Sequence, residues 1–147
     1  MTLKHIKSAG SLVGFAMFAS LFLTACEHDI PAAPDENPQN NETTLSDLQT
    51  SVFNQSCALS GCHLGANASL GLNLQAGQAF SNLVDVDAVF DGNFKRVVAG
   101  NADDSYLFMK ITNDSRIQGA QMPLGGSLTQ AQIDAVREWI EAGAKNN

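Results

Sequence analysis

The segment Cys57-Ala58-Leu59-Ser60-Gly61-Cys62-His63 contains the only histidine after residue 43 and both of the cysteines found there. Two thiols and an imidazole this close together form a ligand set, and their spacing restricts the backbone between them. In a continuous α-helix, residues five apart point about 140° away from each other, whereas residues three or four apart are neighbours. Ala58 to Gly61 therefore cannot be plain helix if both sulfurs are to face one partner. Gly61, just before Cys62, supplies the backbone freedom such a loop needs. A Cys57–Cys62 disulfide is one use of the pair in an oxidising compartment. A structural zinc ion requires a fourth ligand, and the region offers neither a third cysteine nor a second histidine. An iron–sulfur cluster is weaker still, since it normally takes four thiolates.

Outward from this segment, helical periodicity dominates. Thr44 followed by Asp47 forms a capping box, and Leu45, Leu48 and Val52 fall on one face with Phe53 beside them. Ala76, Ala79, Phe80, Leu83 and Val84 have the spacing of a second helix. Asn101-Ala102-Asp103-Asp104 is an acidic start suited to a short third helix that buries Leu107 and Ile111. The last helix has the fullest signature. Thr129 is its N-cap, Gln132 occupies the box position, and Leu128 and Ile133 close a hydrophobic staple. Ile133, Val136 and Ile140 mark its buried stripe with Trp139 at the edge, and Gly143 stops it. No segment alternates as a strand does. Residues 44–147 are predicted to be one all-α domain.

The usual attachment sequence for c-type haem is C-x-x-C-H: two thiols add across the haem vinyl groups, and the following histidine ligates the iron. Here Cys62-His63 keeps that adjacency, with two extra residues between the cysteines. The segment resembles the longer-spaced C-x-x-x-x-C-H variant of some c-type cytochromes. Further pieces follow in order: Cys62-His63-Leu64-Gly65, Gly71-Leu72-Asn73-Leu74, Asn82-Leu83-Val84, Arg96-Val97-Val98-Ala99-Gly100, Ser105-Tyr106-Leu107, Met122-Pro123 and Trp139-Ile140-Glu141-Ala142-Gly143-Ala144. Over about residues 50–144 this order is similar to a family of bacterial cytochrome c-like domains.

The resemblance implies an all-α cytochrome c-like fold in which the first and last helices pack together around one covalent haem c. Cys57 and Cys62 would carry the thioether bonds and His63 would be an axial ligand. For the second axial position the residues themselves favour Met122. It sits in a loop, Pro123 holds it extended, and it comes 59 residues after His63, leaving room for two helices to wrap the group. Met109 falls inside the third helix, where methionine is usually core filler. Arg96 is the candidate for the haem propionates, ahead of Lys95 and Tyr106, and Trp139 is expected in the core between the terminal helices. No proline follows His63 closely, so another carbonyl must accept the imidazole Nδ1 hydrogen.

The N-terminus is an address. Lys4 and Lys7 precede the apolar run Leu12 to Leu23, which is too short and too weakly flanked for a stable membrane span. The run ends in Leu23-Thr24-Ala25-Cys26, which resembles the lipobox of bacterial lipoproteins. That resemblance implies cleavage after residue 25 and a lipid on Cys26, which also gives the third cysteine a task of its own. Glu27, where enteric bacteria use aspartate to retain lipoproteins at the inner membrane, favours the outer membrane. Residues 26–43 hold Pro31, Pro34 and Pro38 among polar residues and read as a linker. Flexible-chain scaling gives it a reach of roughly 20–25 Å.

The formal charge is −7, and becomes −9 once Lys4 and Lys7 leave with the signal, which contains no acid. This argues against nucleic acid, whose phosphates need a basic surface. With the iron closed by His63 and Met122, the resemblance implies one-electron transfer between envelope redox proteins acting as donor and acceptor, on a carrier that is not an enzyme and is held to the membrane by its lipid. Two alternatives stand beside it: a five-coordinate haem sensor or peroxidase-like domain, and a haem-free envelope interaction module stapled by Cys57–Cys62.

Overall fold

The computed structural model describes residues 42–90 and 92–147. The export signal, Cys26, His28 and the linker through residue 41 lie outside the described residues. Four α-helices form the frame: α1 (Leu45–Leu48), α2 (Ala79–Leu83), α3 (Tyr106–Thr112) and α4 (Gln130–Glu141). Among the described residues there is no strand, only isolated bridges, and no helix is long and apolar enough to cross a membrane. The all-α class expected from the sequence holds.

α1 starts at the predicted capping box. The Thr44 hydroxyl accepts the Asp47 N–H and the Asp47 carboxylate accepts the Thr44 N–H, each at 3.0 Å. After Leu48 the chain continues as a π-helix, Gln49–Cys57, which ends on a 2.7 Å bond from the Ala58 N–H to the Phe53 carbonyl. Bonding to the fifth residue back widens the turn, so that residues five apart share a face. Leu48, Phe53 and Ala58 are all buried at that spacing. An α-helix would have turned each about 140° from the last.

The core joins the first and last helices. Leu45, Leu48, Val52 and Phe53 belong to the same buried cluster as Val136, Trp139 and Ile140, with Leu74, Leu83, Val97, Phe108 and Ile111 between them. Trp139, at the edge of the α4 stripe by spacing, is only 1% exposed and lies in the core between the terminal helices as expected, and Ile133 is the half-buried member. The cause is a second covering layer: residues 97–102 also lie against α4, and the Gly100 N–H bonds the Ile140 carbonyl at 2.8 Å. The Trp139 indole N–H is satisfied by the Lys145 carbonyl at 2.9 Å.

α4 carries the predicted capping box of Thr129 and Gln132. Thr129→Ala is expected to lower the unfolding free energy by about 1 kcal/mol, seen as a lower urea midpoint. An unchanged midpoint would show the box to be idle. The other two helices differ from expectation at their starts. α2 begins at Ala79, because Gly77 takes φ +77° and keeps Ala76 in a turn. α3 begins at Tyr106, with Ala102 and Asp103 in the turn before it and Ser105 at the N-cap. Ser105 is fully buried, donating its hydroxyl to the Asn101 carbonyl at 2.7 Å and accepting the Val98 N–H at 2.9 Å.

Two sets of contacts outside the helices matter below. The Val97 N–H bonds the Leu83 carbonyl at 3.1 Å, and the Tyr106 and Leu107 N–H groups bond the Lys95 and Arg96 carbonyls at 2.9 Å. These fix Arg96 between the end of α2 and the start of α3. At the far end of the chain, Asn147 accepts the Leu45 and Ser46 N–H groups at 3.0 and 3.1 Å. Lys145 pairs with Glu42 at 2.6 Å and the Thr43 hydroxyl donates to Glu138 at 2.7 Å.

Candidate functional site

The chain leaves its first helical run at Cys57 and turns sharply. Ala58 and the turn after it are not helical, as the cysteine spacing required, and Gly61 adopts φ +79°. The His63 N–H returns to the Cys57 carbonyl at 3.1 Å, which closes the loop and sets His63 beside the end of the π-helix. The Leu74 N–H to the His63 carbonyl, at 2.9 Å, and the Ser69 N–H to the Cys62 carbonyl, at 2.8 Å, hold the following loop against this turn.

An apolar cavity, open at its mouth and with room for about 120 Å³ of water-sized occupants, lies against this turn. Cys57, His63, Arg96 and Met122 all line it, together with leucines from both sides of the domain and Tyr106, Leu107, Lys110 and Ile111 of α3. Leu70, Val89 and Phe90 of the lining are 49–59% exposed, an apolar rim of the kind that marks a binding site. Cys62 is exposed and outside the lining, next in sequence to His63, which is within it. Of the other candidates, Met109 is 1% exposed in a separate small cluster with Ala88 and Tyr106. Lys95 is engaged by Asp87 at 2.6 Å, and neither it nor Trp139 lines the cavity.

The electrostatics are unusual for so acidic a chain. Of the six described lysines and arginines, Lys95, Arg116, Arg137 and Lys145 each pair with a carboxylate. Arg96 and Lys110 pair with none among the described residues, and both line the cavity. Among the described residues Arg96 donates to the carbonyls of Asn82 and Leu70, at 2.9 and 3.0 Å. Lys110 turns its ammonium to the carbonyls of Gln118 and Ala120, so Arg96 is the cation on this apolar wall that favours an anionic occupant.

His63 Nδ1 is buried with no hydrogen-bond partner of good geometry. Burial holds the imidazole below its ordinary pKa, the backbone carbonyls of Leu72 and Ser69 oppose that shift, and the Arg96 charge adds to it. The ring is thus neutral near pH 7, the form in which histidine is a ligand. No carbonyl takes the place of the missing proline at Nδ1 among the described residues, although the Leu72 and Ser69 backbone lies beside the ring. Cys57 and Cys62 are free thiols, and burial, reinforced by nearby Cys62, pushes the Cys57 thiol up to about 11.

Sequence reasoning missed Lys110. Its signal was present, a lysine between Met109 and Ile111 in a helix with apolar neighbours, but nothing local said that it would line a cavity and bond the loop beyond α3. No protein-family model, curated protein or solved structure matches the chain. What the site can hold follows from its own donors. They are one neutral imidazole, one thioether, one thiol in the wall, one guanidinium and an apolar enclosure. A haem would use each of them: a flat apolar body, carboxylates for the guanidinium, an iron that takes imidazole and thioether, and vinyl groups open to thiol addition. Cys62, the second thiol of the segment, lies outside the lining.

Proposed function

We propose that this chain is a lipid-anchored monohaem c-type cytochrome that carries single electrons between redox proteins of the bacterial cell envelope. The observation that supports it most is the shared lining: His63 and Met122, far apart in sequence, face one apolar cavity with Cys57. In this reading Cys57 and Cys62 hold the group covalently, and His63 and Met122 are the axial ligands. The domain adopts a cytochrome c-like wrapping in which α1 and α4 close behind the site.

Bound haem c supplies a one-electron iron couple, and methionine ligation raises its potential. The chain's own residues do the rest. The Leu72 and Ser69 backbone lies beside the His63 ring, and burial keeps the imidazole in the neutral form that can ligate. Arg96 balances carboxylate charge. The leucine-rich wall excludes water from the site. With His63 and Met122 both holding the iron, no position would be left for a substrate, which favours a carrier over an enzyme. The lipid on Cys26 would keep the carrier at a membrane, the outer one by the residue at 27, and the linker would let the domain meet donor and acceptor in turn.

The test is to express residues 27–147 behind a secretion signal in a host with a c-type maturation system. Haem should remain with the chain after denaturation and acid-acetone extraction. A colourless chain, made beside a working control, would overturn the reading and leave a disulfide-stapled envelope module. Haem that is retained but takes up carbon monoxide immediately would favour the five-coordinate alternative instead.

A further inference from the structure

Between α3 and α4 the chain runs for seventeen residues, 113–129, without a helix. Met122 lies in this connection. Gln118, Gly119 and Ala120 just before it are exposed, so little apolar burial fixes the stretch in place. Polar bonds to α3 hold it instead, and Lys110 makes most of them. Its ammonium donates to the carbonyls of Gln118 at 3.1 Å and Ala120 at 2.5 Å. Its own backbone carbonyl accepts the Met122 N–H at 2.9 Å. Gln121 Nε2 adds a bond to the Ile111 carbonyl at 2.9 Å, and the Tyr106 hydroxyl accepts the Gln118 N–H at 2.9 Å.

We infer that Lys110 is the positioning residue for Met122, a charged latch that decides whether the methionine sulfur is held at the cavity or swings free. The inference rests on the haem reading above. Charge-assisted bonds are roughly twice as strong as neutral ones, and here one ammonium serves two carbonyls within four residues of the ligand. Lys110 has no competing carboxylate among the described residues, so its donors are committed to the loop. A stretch with few buried contacts opens locally at low free energy, and loss of the latch therefore releases Met122 before anything else.

Lys110→Met keeps the apolar stem and removes the donors, while Lys110→Arg keeps charge and donors. Three measurements on the haem-loaded protein separate the outcomes. The first is the Met-to-iron absorption band of the oxidised protein. The second is the rate of imidazole binding, which is limited by methionine release. The third is hydrogen exchange at the amides of Gln118 and Met122 against those of α4. Lys110→Met should weaken the band, bind imidazole about tenfold faster, the factor for loss of one strong net hydrogen bond, and exchange faster in the loop alone. Lys110→Arg should restore all three. Wild-type band and rate in Lys110→Met overturn the latch, as does equal acceleration of exchange across α4, which marks general destabilisation. Absence of the band from the wild type overturns Met122 ligation itself, and the latch with it.

Discussion

Replacing both Cys57 and Cys62 with alanine is expected to leave a folded domain from which acid acetone removes all of the haem. Neither thiol does much for the fold. Cys62 is exposed, and Cys57 is half-buried at the edge of the core cluster, so each substitution removes one sulfur from a site that borders open space. Partly exposed truncations of this size cost about 1 kcal/mol or less. In the proposed cytochrome the haem would lose its covalent bonds but keep His63, the apolar wall and Arg96, so some of it should still bind and colour the native protein. The single variants separate the two sulfurs. Each should retain haem through one thioether, with Cys57→Ala more disturbed because that sulfur forms part of the cavity wall. The readout is haem remaining with the precipitated chain. Retention by the double variant equal to wild type would sink covalent attachment at this segment.

The second large effect comes from a residue outside the cavity lining. Trp139→Ala is expected to reduce the unfolding free energy by about 3–5 kcal/mol. The side chain is 1% exposed and joins α4 to the first helical run, and its indole N–H bonds the Lys145 carbonyl at 2.9 Å. Truncation removes the ring and the bond together, and the surrounding helices are held on two sides, so the void collapses little. Since small domains have about 5–15 kcal/mol in total, the haem-free variant should be partly unfolded at room temperature. Trp139→Phe keeps most of the volume, loses the bond, and should cost about 1–2 kcal/mol. Urea midpoints measure both. A midpoint for Trp139→Ala within error of the wild type would mean that α4 is not packed on the core through this residue.

Different parts of the fold were legible to different degrees, for reasons of range. The boxes at Thr44/Asp47 and Thr129/Gln132 were readable because each is closed by residues three apart, wholly within the local sequence. The π-helix was not. Its five-residue spacing of Leu48, Phe53 and Ala58 suits the core opposite, and the same residues also satisfy an ordinary helical pattern loosely. The depth of Trp139 depends on the Gly100 segment, and the start of α2 on one glycine in the turn before it. At the site, Cys57, His63, Met122 and Arg96 were chosen from their neighbours in sequence, and the structure brings these four to one cavity. Lys110 was invisible because its role arises only when separate parts of the chain fold against one another.

The contacts of the chain's last residues have a mechanical consequence. Glu42, Thr43 and Ser46 are tied to Lys145, Glu138 and Asn147, and none of these six residues lines the cavity. If the chain is anchored as proposed, a pull arriving through the residues before 42 would meet the seam between α1 and the C-terminal end first. The cavity would then lie outside the load path, and the geometry at His63 and Met122 would stay unstrained.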